Sequence, residues 1–167
     1  MKSWIVKSAH VLIAIGVVAA YVVPANAANV LMVREKLMLK GTPEEIWSKI
    51  GGFCAIADWN PAVKACAEGK DGDKVTRTLT LEAGGTVKEA KTEGAETNYE
   101  YTVVEGALPV KHFNGSFKLR KREEGISMLI WSVSFAPKGK TDAEAKAAVE
   151  AIIKPGLVSL KEKFPTQ

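Results

Sequence analysis

Residues that do chemistry are few in this chain, and their scarcity narrows the possibilities. Of two histidines, His10 lies in the first apolar stretch, which leaves His112 alone in the rest of the chain. A metal site or a proton relay draws on histidines, cysteines and carboxylates at set spacings, and no HExxH, CxxC or paired-histidine pattern occurs. A GxSxG nucleophile elbow is absent, and Gly84-Gly85 suits a hairpin turn better than a phosphate cradle. His112, beside Phe113 at a strand start, reads as a surface or partly buried strand residue. No catalytic residue, metal site or cofactor follows from these patterns.

Charged residues on apolar parities say more. Glu35 shares its parity with Leu31, Val33, Leu37 and Leu39, and Arg77 with Val75, Leu79 and Leu81. A charge facing a core is costly unless it is paired or wet. Each therefore either reaches a solvated cavity or stands where its strand twists toward solvent. Tyr99 and Tyr101, on one face with Val103, can offer hydroxyls to a ligand or serve as core aromatics with wet tips. Cys54 and Cys66 are the only cysteines, and an oxidising compartment would join them; two separately buried thiols are the alternative.

The N-terminus sets the compartment. Lys2 and Lys7 precede an apolar run from Val11 to Val23, and Ala25-Asn26-Ala27 is a small-x-small cleavage site. Residues 1–27 are thus expected to be a signal peptide, and 28–167 one exported domain, periplasmic or secreted. The apolar run falls short of the roughly 20 residues that cross a bilayer, so no stable membrane insertion is expected. Without Lys2 and Lys7, the 23 basic residues become 21 against 19 acidic ones. That near balance gives no sign of nucleic-acid binding, and the one basic cluster, Lys118 to Arg122, reads as a solvated strand end.

The elements that must position these side chains follow from periodicity. Val30 to Lys40 alternates as a strand. Thr42-Pro43-Glu44-Glu45 carries the cap, N1 proline and reciprocal Glu of a helix start, and Gly51-Gly52 ends that helix. A short helical turn fits between Phe53 and Pro61. Six antiparallel strands follow, with turns at 69–73, 84–85, 94–97, 106–109, 114–115 and 123–125. Thr141-Asp142-Ala143-Glu144 opens a last helix running to about Phe164. One twisted sheet around one long helix cannot fill its open end, so a cavity is expected there.

In this order the elements resemble the START and Bet v 1-like superfamily, which includes polyketide cyclase-like and lipid-transport domains. The local marks are Thr42 to Trp47, Asp58-Trp59-Asn60-Pro61, and Gly156-Leu157 to Leu160-Lys161. The exported form, with its Trp-Asn-Pro stretch and Leu108-Pro109-Val110, is most similar to periplasmic methanol-oxidation accessory proteins of the MxaD type. The resemblance implies an α+β helix-grip fold: a seven-stranded curved antiparallel sheet around a C-terminal helix, with two short helices between strands 1 and 2. It also implies a hydrophobic-ligand cavity between sheet and helix. Trp59, Tyr99, Tyr101, Phe117, Trp131, Ile153, Leu157 and Leu160 are expected to line or border it, with Arg77 and Glu35 as its polar groups. Three functions are compatible. The first is non-enzymatic binding of a small apolar or amphipathic ligand. The second is docking as an accessory on a methanol dehydrogenase or its cytochrome, and the third is cyclase or dehydratase chemistry.

Overall fold

Strand β1 (Leu31–Lys40) buries Val33 and Leu39 and turns Arg34, Lys36 and Lys40 outward, as its alternation requires. The computed structural model describes residues 29–166; the expected signal peptide, 1–27, lies outside the described residues. At Thr42 both halves of the capping box are made: Thr42 Oγ1 accepts from Glu45 N at 3.3 Å, and Glu45 Oε2 accepts from Thr42 N at 3.0 Å. They start α1 (Pro43–Ile50), which buries Ile46 and Ile50; the turn α2 (Ile56–Trp59) buries Ile56 and Trp59. Cys54 and Cys66 are joined, with Cα atoms 5.4 Å apart, and tie the segment between the helices to β2.

The six strands that follow are β2 (Val63–Asp71), β3 (Lys74–Leu81), β4 (Thr86–Ala95), β5 (Asn98–Gly106), β6 (Val110–Glu123) and β7 (Ile126–Pro137). With β1 they form one curved antiparallel sheet in the order β1-β7-β6-β5-β4-β3-β2. Asn114-Gly115 is not a turn, contrary to the expectation above. It lies inside β6, where the register to β7 slips between Lys111 and Asn114, and His112 takes a left-handed φ of 52°. Gly115 is there for space: a Cβ on it would sit 2.3 Å from the Tyr101 ring. β5 pairs with β6 only over Asn98–Tyr101 and Gly115–Lys118, so the two strands diverge beyond Tyr101.

The last helix, α3 (Asp142–Lys163), begins at a second capping box, Thr141 with Glu144, and buries Ala145, Val149, Ile153, Gly156 and Leu160 against the sheet. Gly156 permits its closest approach to α2, since a Cβ would come within 2.8 Å of the Trp59 ring. There Asn60 Nδ2 donates to the Ile152 carbonyl at 3.0 Å. Among the described residues, no helix is long and apolar enough to cross a membrane.

Candidate functional site

Antiparallel register sets Arg77 of β3 directly opposite Glu89 of β4, both on the concave face. Arg77 Nε donates to Glu89 Oε2 at 2.5 Å, and Nη1 donates to the Phe53 carbonyl and, at 3.5 Å, to the Tyr99 hydroxyl. The guanidinium lies over the Phe53 ring at 4.2 Å from its centroid, with Tyr101 and Tyr99 at 5.2 and 5.6 Å. Arg77 is 1% exposed, so this cation is held by one carboxylate, one carbonyl and aromatic faces, away from solvent. Next to it Trp131 Nε1 donates to the Tyr101 hydroxyl at 2.8 Å, fixing the oxygen and leaving its proton free to be donated.

The electrostatics follow from burial. Desolvation by itself would lower the Arg77 pKa, and the Glu89 carboxylate together with Tyr99 and Tyr101 outweighs it, so the guanidinium stays charged. Burial pushes Glu89 above the ordinary carboxylate range while Arg77 pulls it back. Burial also raises both Tyr99 and Tyr101, so their hydroxyls remain protonated donors.

A small internal cavity of about 20 Å³, room for a single water, borders Arg77, Glu89, Tyr101 and Trp131 and runs to Val149, Ile152 and Ile153 on α3. Beyond it an apolar vestibule of about 430 Å³ opens between the β3–β4 turn, the β5–β6 loop and α3. Leu108 and Ile152 line both spaces and form the partition between them. A larger open groove, about 690 Å³, lies between α2 and the end of α3. Asp58, Lys64, Glu162 and Lys163 around it are of mixed sign, and no buried charge faces it.

Of the residues expected at a cavity, Arg77, Tyr101, Trp131 and Ile153 are brought together on the internal one. Tyr99, Phe117 and Trp59 form a ring stack beside it: Tyr99 on Phe117 at 5.5 Å and Trp59 on Phe117 at 5.6 Å. Trp59 Nε1 is buried with no acceptor among the described residues. Leu160 is fully buried in the core and Leu157 half-buried beside it. Glu35, opposite Trp131 in the β1–β7 register, is half-buried near α3, close enough to add to the pull of Glu150 on the Lys154 ammonium. Glu89 escaped the sequence reading. Its signal was a carboxylate on the parity of Val87, complementary to Arg77 one hairpin away. Leu108, Phe113 and Ile152 were also missed, because a partition between cavities has no periodic signature. His112 is exposed on the bulge of β6, and among the described residues no group of three His, Cys, Asp or Glu could hold a metal ion.

Comparison with known proteins agrees with this geometry. The family model described as polyketide cyclase / dehydrase and lipid transport matches residues 32–165. No curated protein matches the sequence. Among solved structures, the protein XoxI from Bacillus cereus is similar with a TM-score of 0.73 at 26% identity, over 80% of this chain and 94% of that one. A START superfamily protein from Mycobacterium smegmatis has a TM-score of 0.62 at 20% identity, over 79% and 98%. The Zhui aromatase/cyclase from a Streptomyces species has a TM-score of 0.65 at 16% identity, over 78% and 88%. The last two likenesses concern the fold.

Proposed function

Because this chain belongs to the polyketide cyclase, dehydrase and lipid transport family, we propose that it is an exported, non-enzymatic carrier of a small amphipathic molecule. The ligand's apolar part occupies the vestibule, and its polar end passes Leu108 and Ile152 to meet Tyr101 and the Arg77–Glu89 pair. The observation that carries this reading is a buried ion pair at the inner end of an apolar vestibule. Such a pair costs more to desolvate than its attraction returns, and well-packed apolar residues of similar volume serve stability as well or better. A polar centre kept in that position is explained by something it must recognise, and apolar walls with a few convergent polar groups are what small-molecule sites have. A vestibule of about 430 Å³ lies within the usual range of ligand sites, whereas the inner 20 Å³ admits only the tip of a ligand unless the partition moves.

Binding is favoured over cyclase or dehydratase chemistry because the one described histidine is on the outer bulge and the carboxylate at the cavity, Glu89, is tied to Arg77 at 2.5 Å. Neither group is placed to take a proton from a ligand in the cavity. The test is organic extraction of the purified protein with mass spectrometry, paired with titration of an anilinonaphthalene sulfonate probe. A co-purifying amphiphile or saturable probe uptake is expected. A protein that yields no small molecule and takes up no probe would overturn the reading. A second reading, an accessory that docks on a periplasmic methanol dehydrogenase or its cytochrome, is supported by the resemblance to MxaD-type proteins that Trp59-Asn60-Pro61 and Leu108-Pro109-Val110 carry.

A further inference from the structure

The convex face of the sheet carries a feature that ligand binding does not use. Along β1, β7 and β6 the outward residues fall into register rows: Lys36, Ile130, Lys118; Met38, Met128, Arg120; Arg34, Ser132, Ser116; and Lys40, Ile126, Glu123. The first row sets an apolar side chain on the middle strand between cations on the outer two, and the second runs two methionines, Met38 and Met128, up to Arg120. Strand spacing sets Lys36 and Lys118 about 10 Å apart with Ile130 between them. Arg34, Lys36, Lys40 and Arg120 are exposed and Lys118 half-buried, and among the described residues none of the five forms an ion pair. The acids facing outward there are Glu100, beside Ser116, and Glu123 at the rim. Met38, Met128 and Ile130 are half-buried, and Met32 at the end of β1 is 63% exposed. The sequence assigned Lys118 to Arg122 to a solvated strand end; the topology adds the cations of β1 to the same face.

We infer that this β1-β7-β6 face is a docking surface for an acidic protein. An apolar centre containing methionine, bounded by lysines and arginines, has the anatomy of an interface core within a charged rim. Opposite charge on the partner would steer encounter and fix register. The patch measures about 15 by 25 Å, roughly 400 Å² from strand spacing and rise. That is half of what each partner commonly contributes to a stable complex, so the association is transient. A membrane fits less well: the apolar side chains at the centre of the patch lie low between longer cationic ones, and Met32 at its edge is too little to anchor it in lipid. The inference is independent of the ligand in the cavity and rests on the opposite side of the sheet.

The test places a photo-crosslinking benzoylphenylalanine at Ile130, or at Thr78 on β3 as control, in the full protein inside the cells that make it. Whatever Ile130 captures is identified, purified and titrated against wild type and K36E/K118E. We expect capture of a protein of acidic isoelectric point from Ile130 and not from Thr78. Its affinity should fall with salt and drop at least tenfold in K36E/K118E, while the variant's uptake of the naphthalene sulfonate probe is unchanged. Equal capture from Thr78, no capture from Ile130, or equal binding of K36E/K118E would overturn the proposal. So would sedimentation of the wild type with phosphatidylcholine–phosphatidylglycerol vesicles in place of any protein captured.

Discussion

Replacing Glu89 by leucine separates what the buried pair does for stability from what it does for binding. Arg77 is 1% exposed, and its remaining partners would be the Phe53 carbonyl and a Tyr99 hydroxyl at 3.5 Å. A guanidinium left in that setting without its carboxylate costs about 3–5 kcal/mol. That is a large part of the about 5–15 kcal/mol that holds a domain folded. At about 3 °C per kcal/mol for a chain of this size, the melting temperature should drop by about 10–15 °C. In R77M/E89L both charges are gone and the volume is roughly kept, so stability should return to within about 1 kcal/mol of wild type or exceed it. Urea unfolding followed by tryptophan fluorescence measures both, and Trp47, Trp59 and Trp131 give the signal. The functional half is probe titration of the folded double variant, which should bind at least tenfold more weakly. A Glu89→Leu cost below about 1 kcal/mol, or a double variant as unstable as the single one, would refute the energetic reasoning. A stable double variant with undiminished binding would refute the role assigned to the pair.

The other expectations are more local. Ile152→Trp, at the partition between vestibule and inner cavity, should leave the fold intact and abolish probe uptake. Ile153→Trp pushes into a packed core with only about 20 Å³ of free space and should cost about 1–3 kcal/mol by denaturant titration. Thr141→Ala should lose about 1 kcal/mol of α3 capping. Hydrogen bonds from Thr141 hold Glu144 below the usual carboxylate range, so the contribution of Glu144 is present above its unfolded pKa and lost as pH falls through the lower folded one. Thr141→Ala removes the side-chain bond but keeps the backbone N–H that contributes most, so the acid limb of a stability-against-pH curve should flatten only in part there and further in Glu144→Gln. Cys54→Ser should cost about 3 kcal/mol, from the 12-residue separation the bridge closes, and unfolded, unreduced wild type should titrate no free thiol.

The elements were legible because each is fixed by local chemistry. Both capping boxes were spelled out at Thr42-Glu45 and Thr141-Glu144, and the alternation in β1 and β7 fixed which side chains face α3. Asn114-Gly115 misled for an instructive reason. An Asn-Gly pair is a strong turn signal, but here the glycine is held inside β6 by a long-range demand, the Tyr101 ring of β5 lying against it. The site divides along the same line. Arg77, as a charge on an apolar parity, was visible from its own strand. Its partner Glu89 became meaningful only once the β3–β4 register placed the two opposite each other, and no local window contains that register. Leu108 and Ile152 are harder still, because they matter only where a loop between β5 and β6 meets a helix more than 40 residues later. The convex face makes the same point in reverse. Cations of β1 and β6 that look like scattered solvated charges in the sequence become one surface when β7 is laid between them, since the sheet order β1-β7-β6 joins the first strand to the last two. What remains hidden in a sequence of this kind is whatever depends on which strands are neighbours, and both the ligand centre and the docking face depend on it.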